Sequence, residues 1–163
     1  MDTVTYPTSP APTGTTGVNF KVQYAYVAGE PVQLTDVTNA NPTQLWASHS
    51  NTDAGLSATE TVGTGSGAVA IATTYKAWTN EVLMIQSGVG GSSTNLQNLG
   101  YLWDTAGNLI QRGDANQAGT CIVNSATSKL CEAFAPDALN RLSNSKLNGV
   151  SNLSMGYDAA GIY

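Results

Sequence analysis

The 163-residue sequence predicts an all-β protein made of successive antiparallel β-hairpins that continue one another as a curved, twisted strip of sheet. Three observations carry the prediction. Only 10% of residues are charged while Gly numbers 17, and Thr, Ser and Asn are abundant, a turn-rich composition unlike that of a helical protein. Apolar and polar residues alternate with period 2 in several segments. A short turn motif recurs in the second half.

Taken in order, Met1 to Gly17, with Pro7, Pro10 and Pro12 among threonines, reads as an extended Thr/Pro-rich arm or linker (1–17), too poor in apolar residues to order itself. The β region spans 18–163. Phe20, Val22, Tyr24 and Tyr26 alternate with polar or small residues, and Val32 and Leu34 resume the pattern after a turn at Gly29-Glu30, giving a first hairpin. Val69, Ile71, Thr73 and Tyr75 alternate again, with Val82 to Ile85 as a short apolar return; Gly63 to Gly67 and Gly88 to Gly91 are loops by composition. Propensity alone would make Lys129 to Ala135 helical, yet the stretch leads directly into a turn at Asp137, so it is assigned as a strand.

The turn motif stands as Trp103-Asp104-Thr105-Ala106-Gly107-Asn108-Leu109, again as Pro136-Asp137-Ala138-Leu139-Asn140-Arg141-Leu142, and in shorter form as Tyr157-Asp158-Ala159-Ala160-Gly161-Ile162. Asp at the start of a tight turn accepts hydrogen bonds from backbone N–H groups two or three residues on, and the following Gly or Asn takes the left-handed conformation that closes it. The aromatic before Asp and the Leu after the turn then leave on opposing strands, as a cross-strand pair contributing roughly 0.2–1 kcal/mol. Asp104 to Asp137 is 33 residues and Asp137 to Asp158 is 21, so if 21 is the period the first interval carries 12 extra residues, expected at Gly119 to Cys131. A period of this length implies units that bury their apolar faces only against neighbours.

These motifs resemble those of the Rhs or YD-repeat family, which includes the repeat shells of bacterial toxin complexes and of polymorphic toxins. The resemblance rests on Trp103, Asp104, Gly107, Asn108 and Leu109, on Asp137, Asn140, Arg141 and Leu142, and on Tyr157, Asp158 and Gly161. Weaker echoes lie upstream, at Tyr24 to Gly29, which lacks the Asp, and at Tyr75-Lys76, where Lys76 replaces it. Degenerate repeats thus cover 18–98 and clearer ones 99–163. The resemblance implies a non-catalytic segment of a β-shell that encloses or delivers a C-terminal toxin domain, secreted or at a cell surface. Its implied partners are the rest of its own full-length chain or the encapsulated toxin. Neither such a domain nor the self-cleaving core of many family members follows, and the chain ends inside its third motif, so a fragment with sticky strand edges prone to self-association is expected.

Other chemistry is thinly represented. His49 is the sole histidine, no ligand spacing marks a metal site, and Asp104, Asp137 and Asp158 recur at equivalent turn positions, which points to structural capping rather than acid–base work. No enzyme activity, cofactor or metal is expected. Cys121 and Cys131, ten positions apart, read either as a disulfide closing the insertion, worth about 2–3 kcal/mol, or as two unrelated thiols. Gly63-Thr64-Gly65-Ser66-Gly67 fits no phosphate-loop pattern, and Asn152-Leu153-Ser154 is formally a glycosylation sequon. A formal charge of −5 argues against a nucleic-acid partner. No apolar run reaches the ~18 residues of a membrane span, and the N-terminus lacks the pattern of a signal peptide. The alternative function is a stand-alone carbohydrate-binding or adhesive β-module, for which Trp46 and Trp78, the tryptophans outside the clear motifs, are the candidate glycan contacts.

Overall fold

A computed structural model describes residues 1–7, 17, 19–116, 121–123, 126–128 and 130–161, with 121–123 and 126–128 described by backbone alone. Val18, Gly119, Lys129, Ile162 and most of the 1–17 arm therefore lie outside the described residues, as does the side chain of Cys121. The chain is all-β; the described helical structure is one 3₁₀ turn at Gly65–Gly67. It divides into two compact units, 1–71 with 89–91, and 72–88 with 92–163.

The first unit contains β1 (Asp2–Thr5), β2 (Lys21–Val27), β3 (Glu30–Asp36), β4 (Thr43–Asn51) and β5 (Ser57–Val62), hydrogen-bonded side by side in chain order. Strand β1 is a departure from the sequence reading, which placed Asp2–Thr5 in an extended arm: its backbone pairs antiparallel with β2, Asp2 opposite Tyr24 and Thr5 opposite Lys21. Strand pairing needs main-chain groups rather than apolar side chains, so composition missed it. The predicted first hairpin is β2–β3. Ala28 and Gly29 both take positive φ, +51° and +90°, the two-residue turn whose twist suits an antiparallel pair. Strand β6 (Val69–Tyr75) runs through the division between the units.

The second unit contains β7 (Val82–Gly88), β8 (Gln97–Trp103), β9 (Leu109–Asp114), β12 (Leu130–Pro136), β13 (Leu142–Leu147) and β14 (Val150–Ser154), adjacent in that order. The stretch from Lys129 into the Asp137 turn is thus a strand where it is described. Two short strands, β10 (Cys121–Val123) and β11 (Ala126–Ser128), pair only with each other, while β9 pairs directly with β12. The chain between them is an excursion from the meander.

The hairpins share an irregularity. On the return strand one residue is skipped just after the turn: Ile110, with Trp103 opposite Leu109 and Leu102 opposite Gln111, and Ser143, with Pro136 opposite Leu142 and Ala135 opposite Asn144. Val32 is skipped in the same way in the β2–β3 hairpin. Such a bulge increases local twist and re-aims the residues beside it. Among the described residues only three apolar side chains are buried, Val22, Ala47 and Cys131. A sheet normally buries one face against another layer, and within each unit most strand residues are only half-buried.

Candidate functional site

Asp104 and Asp137 build the same turn, and Asp158 repeats the part of it that lies within the described residues. Asp104 Oδ1 accepts the N–H groups of Ala106 (2.8 Å) and Asn108 (2.9 Å), Asp104 N–H donates to Asn108 O (3.0 Å), and Gly107 N–H donates to Asp104 O (3.3 Å). Asp137 repeats each bond, with Leu139 (2.8 Å), Arg141 (3.0 and 2.7 Å) and Asn140 (3.0 Å) as partners. Asp158 accepts from Ala160 N–H at 2.9 Å, and Gly161 N–H closes on Asp158 O at 3.0 Å. The third residue after each Asp is left-handed: Gly107 at φ +83°, Asn140 at +60°, Gly161 at +78°. Gly and Asn stand there because other side chains resist that backbone. The carboxylate reaches residues two and four on, one further than the sequence reading had it.

Residues closing the turns grip the second carboxylate oxygen. Asn108 Nδ2 donates to Asp104 Oδ2 at 2.9 Å, while the Arg141 guanidinium binds Asp137 Oδ2 through Nε at 2.8 Å and its terminal nitrogen at 2.7 Å. These contacts, Asn108 and Arg141 foremost, hold both carboxyls below their ordinary value of 3.8. Carboxylates so engaged are poor acids and bases at neutral pH.

Two further turns follow the plan. Thr52 N–H donates to Leu56 O (2.8 Å), Gly55 N–H to Thr52 O (2.9 Å) and Leu56 N–H to the Thr52 hydroxyl (3.2 Å), with Gly55 at φ +78°. The hydroxyl does the work of the carboxylate. At Lys76 the turn is one residue longer: Lys76 N–H reaches Glu81 O (2.8 Å) and Asn80 N–H reaches Lys76 O (3.1 Å). Glu81 supplies the carboxylate from the opposite side, taking Thr79 Oγ1 at 2.6 Å and Lys76 Nζ at 2.9 Å. Thr52 to Lys76 is 24 residues, so the spacing of equivalent turns runs 24, 28, 33 and 21 rather than resting at 21.

Within the second unit the turns stack in chain order. A methyl group on Gly107 would meet Glu81 Oε1 at 3.6 Å; Asn108 Nδ2 donates to Asn140 Oδ1 at 2.9 Å; and a methyl group on Gly161 would meet Arg141 at 3.2 Å. Arg141 also lies over the Tyr157 ring, 4.1 Å from its centroid. The aromatics before the aspartates tie each hairpin to the preceding one. Trp103 Nε1 donates to Val82 O (2.7 Å) and Tyr157 Oη to Leu142 O (2.6 Å), and Val82 and Leu142 both begin a return strand. Pro136 has no such donor, and at that junction the Asn108–Asn140 bond makes the link. Tyr157→Phe is expected to destabilise the chain by about 0.5–1.5 kcal/mol, read from urea denaturation, because it removes one hydroxyl and strands a carbonyl. No measurable loss would mean that the hydroxyl does not hold adjacent hairpins together.

The remaining candidates are dispersed. His49 Nε2 pairs with Thr61 Oγ1 at 2.7 Å on an exposed sheet surface. Trp46 is half-buried in β4, its indole N–H donating to Glu60 Oε2 at 2.6 Å across to β5. Trp78 is 98% exposed at the tip of the Lys76 turn. Cys131 is buried and disulfide-bonded, its Sγ 3.0 Å from Gln111 Nε2; Cys121 is the other cysteine of the sequence. Among the described residues no group of three or more His, Cys, Asp or Glu is placed to hold a metal ion, and no helix is long and apolar enough to cross a membrane.

The class that fold and site define is a β-hairpin repeat protein whose turns are capped alike and joined, one to the next, by side-chain bonds. Comparison with protein-family models finds no match, and comparison with curated proteins finds none either.

Proposed function

We propose that the chain is a non-catalytic structural segment of the Rhs/YD-repeat kind, part of a β-shell that encloses or delivers a C-terminal toxin domain. The observation that supports this reading is the identity of the Asp104 and Asp137 turns, two of whose bonds Asp158 repeats. A group that recurs once per hairpin in the same bonding role serves the hairpin. Its partners on this reading are the remainder of its own full-length chain or an encapsulated toxin, and the disulfide at Cys131 supports a secreted or surface setting.

Strand β14 supports it further. It is the outer strand next to β13, and all five of its residues are exposed. Such an edge favours pairing with another strand. The purified chain is therefore expected to associate as its concentration rises, in size-exclusion chromatography with light scattering. Leu153→Lys, a charge on that edge, should suppress the association. A concentration-independent monomer would count against the shell reading.

The second reading, a carbohydrate-binding or adhesive module, is favoured by the exposure of Trp78. It predicts sugar binding that Trp78→Ala abolishes in a glycan array.

A further inference from the structure

The turn tips of the second unit share one chemistry. Its strands run alternately up and down, so the turns at Lys76, Asp104, Asp137 and Asp158 all lie at the same end of the sheet. In three of them the residues between the aspartate and the left-handed position are Thr105-Ala106, Ala138-Leu139 and Ala159-Ala160, all exposed. The longer Lys76 turn displays Ala77, Trp78 and Thr79 instead, exposed as well. None of these tip residues is charged, whereas the Thr52 turn of the first unit carries Asp53 at its tip.

The charge that these turns do hold is engaged at their bases. Asp104 and Asp158 accept N–H groups of their own turns, Arg141 binds Asp137, and Lys76 pairs with Glu81. From the uncharged tips two large apolar side chains project, Trp78 at 98% exposure and Leu139 at 70%. Turn residues are ordinarily Gly, Pro, Asn, Asp or Ser, so an indole and a leucine at successive tips call for an explanation. Trp78 also takes φ +74°, an unfavourable backbone for an aromatic, inside the loop that Glu81 closes through Lys76 and Thr79.

The form of this row selects its partner. Each hairpin adds two strands, so neighbouring tips stand about 10 Å apart, and Trp78 and Leu139, two hairpins apart, about 20 Å. Small-molecule and sugar sites gather their contacts in a concavity, and a protein partner would need a separate hole for each knob. The fluid interface of a bilayer accepts projecting side chains one by one, and tryptophan is enriched at that depth. We propose that the row of tips docks the protein on a lipid bilayer, Trp78 and Leu139 entering the interfacial layer with Ala106 and Ala138 between them. The strands stay outside, so the membrane is touched and not crossed. With uncharged tips and a formal charge of −5, the surface that fits is zwitterionic, and anionic headgroups add nothing.

The test is sedimentation of the full chain with phosphatidylcholine vesicles. Trp78→Ala and Leu139→Ser should each weaken binding on the order of tenfold, the effect of one large apolar side chain leaving water. Val27→Ser, at a position 64% exposed in the first unit, should leave it unchanged. Wild-type tryptophan emission should shift to the blue on adding vesicles and be quenched by brominated acyl chains, and that of Trp78→Ala should do neither. Unchanged circular dichroism and thermal midpoints keep misfolding out of the comparison. Absence of wild-type binding, binding confined to vesicles containing phosphatidylserine, or equal losses in Val27→Ser overturns the proposal. So does a chain that ignores vesicles but binds a sugar through Trp78 and not Leu139, which would assign the tip to a glycan. Edge pairing is read without lipid through Leu153→Lys, so this proposal and the shell reading can each fail alone.

Discussion

Gly88→Ala is expected to destabilise the second unit by about 3 kcal/mol, the upper part of the usual overpacking range. Gly88 is buried at the end of β7, and a methyl group there would lie 2.2 Å from the Ser92 carbonyl oxygen, 2.7 Å from its carbonyl carbon and 2.8 Å from Asn95 Oδ1. Two of those atoms are backbone and cannot rotate away. The loop they belong to is tightly drawn, the Ser92 hydroxyl accepting from Thr94 and Asn95 N–H and Leu96 N–H bonding Ser87 O. Relief of the clash must therefore open the β7–β8 connection. That connection also sets the Trp103–Val82 bond between successive hairpins, so the cost extends to the stacked turns. Gly156, in the same unit, has open space around its would-be methyl and no positive φ, and Gly156→Ala should stay within about 0.5 kcal/mol of wild type. Urea denaturation of both variants is the measurement. Equal stabilities would show that the 88–96 loop gives way, and that the β7–β8 junction is not a rigid link.

The strands were legible where side chains alternate, as at Val22-Tyr24-Tyr26 and Val69-Ile71, because one half-buried face is enough to impose period 2. The aspartate turns were legible too, since Asp, a small pair and Gly or Asn is local chemistry needing no tertiary information. The Thr52 turn escaped because a hydroxyl can replace a carboxylate; Ala54-Gly55, matching Ala106-Gly107, was the signal that could have found it. Asn148-Gly149, with φ of +51° and +82°, is the strongest hairpin dipeptide there is and marks the β13–β14 turn, but it carries no aspartate and so stands outside the repeated motif. What no local reading could supply is the stacking. The Asn108–Asn140 bond joins residues 32 apart, and it depends on the register that β9 and β12 adopt after the excursion between them. Nor does the sequence distinguish Trp46, tied to Glu60, from Trp78, held in solvent; that difference lies in one additional turn residue and a left-handed backbone.

Acidification is expected to dissolve the row of turns as a group, and Asp137→Asn to remove a large part of that sensitivity. Four carboxyls are held below their ordinary values by what they touch in the fold. Asn108 acts on Asp104 and Arg141 on Asp137; Thr38 acts on Asp36 through its side chain and its N–H; Thr79 and then Lys76 act on Glu81. A carboxyl whose folded value is depressed releases its proton more readily when folded than when unfolded. Its contribution is complete above the unfolded value, 3.8 for the aspartates and 4.5 for Glu81, and is lost as pH falls through the lower folded value. Thermal midpoints should therefore be flat above about pH 5 and fall steeply below it. Asparagine at 137 keeps an oxygen for the Leu139 and Arg141 N–H groups but leaves the Arg141 guanidinium without its counter-charge. That guanidinium also covers Tyr157, so the loss reaches the next turn. The variant should be less stable than wild type at pH 7 and converge on it toward pH 2, where the wild-type carboxylate is itself protonated. A constant offset at every pH would mean that the Asp137 charge adds nothing beyond its shape, and that the turns are held by backbone geometry alone.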